Sequence, residues 1–258
     1  MDIHEEILKW ANNYVPKFNE LSATYKTPYY TQSPIDGINE TIDILIIGIN
    51  PKGNFGIGGK TLTAEQYIKG NPSWPDRFSQ DGKIDQKWKF IHGARFFLGY
   101  DHFIHLENID NDQRTVWTNL SPFESNNGSN DLKKELMEIG LKSTLDLIKI
   151  LQPKRIILLG IKAFSQIRKT IDRNDGIIEY SPVYKNIKSL VGRIYNIPTV
   201  CLPHPSGQWE VSNKFIPMFV HLHNLAEITN ERDTVRPLKD VVEIMRTEMK
   251  AWQARVMI

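Results

Sequence analysis

Two apolar runs rich in β-branched residues, Ile42–Ile47 and Ile197–Leu202, each end in a polar loop stiffened by proline. The first loop reads Gly48-Ile49-Asn50-Pro51 and the second Pro203-His204-Pro205-Ser206-Gly207. A run that is apolar on both faces suits a strand buried on both sides, as in a parallel sheet. In open α/β folds, ligands bind in the crevice beyond the carboxyl ends of such strands. This pattern restricts the chain to architectures in which buried strands deliver polar turns to one sheet edge.

The remaining periodicity completes an α/β alternation. Arg114–Asn119 is expected as a second strand, ending in Leu120-Ser121-Pro122, and Arg155–Leu159 as a third, closed by Gly160. Thr199–Leu202 is the fourth. Helical spacing of apolar residues predicts helices over Glu5–Phe18, Gln86–Tyr100, Leu132–Leu151, Ala163–Ile171, Asn213–Thr229 and Asp233–Val256, with a short one at Thr63–Ile68. Ile177–Tyr180 and Ser189–Ile194 have strand character, and Lys26–Glu40, with Pro28, Pro34 and Gly37, reads as loop. Strands alternating with helices imply a three-layer α/β/α sandwich around a central, mostly parallel four-stranded sheet. The expected organisation is an N-terminal helix and loop over 1–41, a core domain over 42–228, and a C-terminal amphipathic helix over 229–258.

Composition narrows the class. At 258 residues, 40% hydrophobic and 24% charged, the chain can bury an ordinary globular core. Its net charge of +2 neither marks nor excludes a nucleic-acid partner. A single cysteine, Cys201, rules out an intramolecular disulfide and a four-cysteine metal site, and fits a reducing compartment. The acidic start, Asp2-Ile3-His4-Glu5-Glu6, lacks the pattern of a secretory signal. With no run of roughly 20 apolar residues, a cytoplasmic protein without a membrane partner is expected.

Each candidate residue also has an ordinary structural role. Asn before Pro is a common turn, Asn119 could cap a helix, and His204 could simply bond the backbone. Their arrival at three strand ends is what points to a shared site. Competing chemistries fit poorly. Gly53–Thr61 ends in Gly-Lys-Thr, but Asn54 stands where a phosphate-binding loop needs its first glycine. Ser206 has His204, not glycine, two residues before it, against a nucleophile elbow. The pairs His102/His105 and His221/His223 lack the company a metal site needs.

Taken in order, Gly48-Ile49-Asn50-Pro51 with Phe55-Gly56, then Trp117-Thr118-Asn119-Leu120-Ser121-Pro122, then Leu158-Leu159-Gly160, then His204-Pro205-Ser206, resemble the motifs of the uracil-DNA glycosylase superfamily. The likeness is nearest to the single-strand-selective monofunctional and mismatch-specific branches, which carry Gly-x-Asn-Pro, and it spans about residues 42–225. It implies an enzyme that flips a nucleotide out of DNA and hydrolyses the bond between C1′ and the base. By the same resemblance, Asn50 and His204 are the catalytic residues. Asn50 would position water, and His204 would stabilise the departing base anion, a role worth roughly 3–4 kcal/mol. Gly48, Ile49, Pro51, Phe55 and Asn119 would bind the base, Phe55 by stacking and Asn119 by pairing with its edge. Pro205, Ser206, Gly207, Gln208 and Trp209 would contact DNA, with Trp209 as a wedge. The implied partner is single- or double-stranded DNA carrying a damaged base, and neither cofactor nor metal is implied. Lys52 and Gly207 depart from the family pattern, where Gly follows Asn-Pro and a second Pro follows His-Pro-Ser. A divergent member that only binds nucleobase or nucleic acid is the alternative.

Overall fold

The computed structural model describes residues 2–31, 33–51, 61–71, 115–125, 131–168, 178–180 and 189–202. They sort into two compact units, one within Met1–Lys83 and Glu107–Lys154 and the other within Arg155–Ile258. The helices expected over Gln86–Tyr100, Asn213–Thr229 and Asp233–Val256 lie outside the described residues.

The first unit begins with α1, Ile3–Tyr25. The Asp2 carboxylate accepts from the His4 N–H at 3.2 Å, and Glu5 and Glu6 follow in the first turn, where the helix dipole favours acids. The helix outruns the expected Glu5–Phe18. Pro16 removes one internal hydrogen bond without ending it, because the buried stripe Ile7, Trp10, Ala11, Tyr14, Val15, Phe18 continues through Leu21. It stops at Lys26, whose φ of 50° is left-handed and whose N–H returns to the Ser22 carbonyl.

Strands β1 (Ile44–Gly48) and β2 (Thr115–Asn119) pair in parallel, with Ile44 opposite Thr115 and Gly48 opposite Asn119. Asp43, the one interruption in the apolar run, lies just outside β1 and pairs with Lys154 at 2.6 Å. The short helix α2 (Ala64–Ile68) starts on a capping box, in which Thr63 and Gln66 satisfy each other's backbone N–H groups. Helix α3 (Lys134–Leu151) buries Leu136, Leu141, Leu145 and Ile148. It ends at Gln152, left-handed at φ 41°, immediately before Pro153. Between these elements sits an aromatic cluster. Phe18 lies 5.5–6.0 Å, centroid to centroid, from Tyr14, Tyr29, Tyr67 and Phe123.

In the second unit, β3 (Arg155–Leu159) runs into α4 (Ile161–Arg168). Strands β4 (Ile178–Tyr180), β5 (Ser189–Ile194) and β6 (Ile197–Leu202) follow. β3 and β6 pair in parallel, while β5 is antiparallel to both β6 and β4. Tyr195 and Asn196, at φ 51° and 65°, form the two-residue turn between β5 and β6. β6 starts at Ile197, two residues before the expected Thr199, and accommodates Pro198 opposite Arg193. The chain is therefore α/β, with mostly parallel strands beside helices, and β5 runs against both of its neighbours, β4 and β6. Among the described residues, no helix is long and apolar enough to cross a membrane.

Candidate functional site

The parallel pairing of β1 and β2 does not stop where the strands do. The Leu120 N–H donates to the Gly48 carbonyl at 2.9 Å, Ser121 to Ile49 at 3.0 Å, and Ser125 to Pro51 at 3.1 Å. The two loops are thus fastened rung by rung. On the far side of β2, Ser33 exchanges bonds with both backbone groups of Trp117, and Tyr30 donates to the Pro122 carbonyl. Among its described residues the segment Lys26–Glu40 holds neither helix nor strand, apart from one bridge between Tyr29 and Phe123, yet it lines this strand edge.

Helix α3 fixes the turn after β2 from another direction. Thr144 Oγ1 donates to the Asn119 carbonyl at 2.9 Å, and Ser121 Oγ to the Leu136 carbonyl at 2.9 Å. Gly140 makes this approach possible: a Cβ there would lie 2.6 Å from Ser121 Cα and 2.8 Å from the Leu120 oxygen. The helix backbone therefore rests directly on the turn that carries Asn119.

Gly48 and Asn119 are register partners, so their side-chain positions share one face of the sheet. A Cβ on Gly48 would come within 2.5 Å of Asn119 Oδ1. The Asn119 side chain thus lies across the end of β1, over the space glycine leaves. It is buried, at 7% exposure, and its Nδ2 has no hydrogen-bond partner.

Asn50 stands two residues beyond Gly48. Its Nδ2 donates to the Pro51 carbonyl at 2.9 Å and to Ser125 Oγ at 2.8 Å, with the Phe123 carbonyl further off at 3.4 Å. Carbonyl oxygens only accept, so the amide is oriented with nitrogen toward them and Oδ1 the other way. That Oδ1 is buried and has no partner. The strand ends therefore hold one unsatisfied acceptor and one unsatisfied donor. Leaving each unpaired costs about 1–3 kcal/mol, and a ligand that offers the complementary groups recovers it.

Of the other residues expected at the site, Ile49 and Pro51 use their carbonyls to tie the β1 loop to Ser121 and Ser125. Phe55, His204, Pro205, Ser206, Gly207, Gln208 and Trp209 lie outside the described residues. Sequence reasoning did not single out Ser125, Gly140 or Thr144. Ser125 and Thr144 act through contacts between segments far apart in the chain, which no local spacing announces. Gly140 could have been found as a glycine inside a strongly amphipathic helix, where it costs about 1 kcal/mol against alanine unless close packing needs it. Cys201 is buried in β6, and burial pushes its thiol well above the usual range, so it stays protonated and is no nucleophile. Comparison with known proteins finds no family model that matches this chain and no curated protein that matches it.

Proposed function

We propose that this chain is a monofunctional DNA glycosylase that hydrolyses the N-glycosidic bond of uracil, or of a related damaged pyrimidine, flipped out of DNA. The observation that carries the reading is the pair of buried, unsatisfied amide atoms at adjacent parallel strand ends, Asn50 Oδ1 and Asn119 Nδ2. A pyrimidine edge and a water molecule are complementary to them. Asn119 Nδ2 donates to a carbonyl oxygen of the base, and Asn50 Oδ1 accepts a hydrogen from the water and aims its oxygen at C1′. As the C1′–N1 bond breaks, the electron pair leaves with the base and the water oxygen bonds to C1′. The water's proton is then released. An amide cannot deprotonate water, so the rate comes from positioning and from stabilising the leaving anion, the part this reading gives to His204.

The α/β arrangement with parallel strands is compatible with this assignment, as is the motif order Asn50, Asn119, His204. Under this reading the core is a three-layer α/β/α sandwich around a central, mostly parallel four-stranded sheet. DNA is the partner, and no metal or cofactor takes part.

Incubation with single- and double-stranded oligonucleotides containing uracil tests the proposal. Abasic product from the parent chain, and at least 100-fold less from Asn50→Ala or His204→Ala, is the expected result. Uracil binding without release would favour the nucleobase-binding alternative. No product from uracil, hypoxanthine, xanthine or hydroxymethyluracil, with no binding of any, would end both readings.

A further inference from the structure

We infer that Ser125 is a positioning residue for Asn50, and that the cage it completes accepts an amide at this place and disfavours a carboxylate. The catalytic consequence rests on the reading of Asn50 as the group that positions water, whereas the cage itself does not. Three oxygens face Asn50 Nδ2: the Pro51 and Phe123 carbonyls and Ser125 Oγ, the last being the closest at 2.8 Å. Two of them can only accept. Ser125 is the member that can act either way, and it too accepts from the amide. Ser125 is buried, and its own N–H donates to Pro51, so the residue that holds the amide also fastens the loop bearing it. Truncating the hydroxyl removes the shortest of the three contacts and leaves the amide held by the Pro51 carbonyl and the longer Phe123 contact, so that Oδ1 is aimed less firmly at the water.

A carboxylate in the same cage meets the opposite situation. One oxygen would face two carbonyl oxygens, and the other would occupy the buried place of Asn50 Oδ1. Repulsion and desolvation both oppose its charge, and among the three described partners only the Ser125 hydroxyl, reversed to donate, supports it. The site is thereby built to hold water by an acceptor that stays neutral at every working pH.

Carboxyl NMR titration of Asn50→Asp tests the cage without reference to activity. The introduced carboxyl should titrate more than about one unit above the ordinary aspartate value of about 3.9, and higher again when Ser125→Ala removes the donor that Ser125 supplies. An ordinary midpoint in both proteins overturns the inference. Should the aspartate variant not fold, the parent answers instead. The Asn50 side-chain amide protons should exchange about tenfold more slowly than those of an exposed asparagine, and Ser125→Ala should abolish the difference; equal exchange in parent and variant overturns the inference. On uracil-containing oligonucleotide, Ser125→Ala should lower kcat by about 10- to 100-fold with KM little changed, and Ser125→Thr should restore most of it. Full activity of Ser125→Ala would overturn the positioning role. A parent chain that releases no uracil removes the glycosylase reading and leaves the titration and exchange to decide the cage.

Discussion

Two buried regions of the first unit meet at Phe123 and treat their polar atoms in opposite ways. In and beside the aromatic cluster, three polar tips are partnered. Trp10 Nε1 donates to the Ser143 carbonyl, the Tyr14 hydroxyl to Asp146, and the Tyr29 hydroxyl to Asn19. At the strand ends, Asn50 Oδ1 and Asn119 Nδ2 are buried with no partner. Phe123 joins the two: its ring packs edge-on to Phe18 at 5.6 Å, and its carbonyl faces the Asn50 amide. The difference separates what holds the unit together from the site to which the proposed function assigns its chemistry. Aromatic pairs of this kind add about 0.5–1.5 kcal/mol each beyond their burial, enough for the cluster to support neighbours that weaken the fold.

The comparison breaks first if the cluster is not the stabilising partner. Phe18 is fully buried at its centre. Phe18→Ala should cost about 3–5 kcal/mol in urea unfolding and, if the proposed activity is present, should reduce uracil release as well, because Phe123 loses its support. A cost under about 1 kcal/mol would show that the cluster contributes little.

Gly140→Ala probes the seam between the regions. The added methyl meets backbone rather than a yielding side-chain tip, so α3 must move away from the Asn119 turn. An overpacking cost of about 1–3 kcal/mol is expected, well beyond the small gain that alanine normally brings to a helix. A stabilised variant would mean that the helix does not rest on the turn.

Alkaline unfolding sharpens the contrast from the cluster's side. Burial holds the hydroxyls of Tyr29 and Tyr67 protonated well above the usual tyrosine range. Their folded values exceed the unfolded value of about 10, so the stabilisation is complete below pH 10. It falls as pH rises beyond that, because only the unfolded chain releases the protons. Each such tyrosine lowers stability by at most about 1.4 kcal/mol per pH unit there. Tyr67→Phe should flatten the dependence, and an unchanged slope would show that Tyr67 does not titrate differently in the folded state.

How much of this was legible in the sequence depends on the distance over which each feature is encoded. β3 and β5 match their expected bounds, and β1 and β2 differ by two residues or fewer at each end, because a short run rich in β-branched and other apolar residues is a local signal. The far end of α1 was hidden, since Asn19, Glu20 and Ser22 dilute its apolar stripe and only tertiary burial of Leu21 carries the helix onward. The placement of Asn50 and Asn119 at paired strand ends follows from two local patterns and one pairing rule. Their cage does not. Ser125 and the Pro51 carbonyl meet only after β1 and β2 align in one register, and a slip of a single residue would turn every side chain to the opposite face.

The smallest expected effect on stability is also the most discriminating. Asn119→Leu replaces the amide by a nearly isosteric apolar group on the face that Gly48 leaves open. In the aromatic cluster, losing a partnered polar atom would leave its partner stranded at about 1–3 kcal/mol. At Asn119 there is no partner to strand, because Nδ2 is already unsatisfied. The variant should therefore unfold within about 1 kcal/mol of the parent, or at higher urea, since removing an unpaired buried polar group can stabilise. If the glycosylase reading holds, the same variant should also lose binding and release of uracil, because that reading assigns Asn119 Nδ2 to the base. If instead it unfolds several kcal/mol earlier, Asn119 is a structural group like Trp10 or Tyr29, and the two regions do not differ in kind.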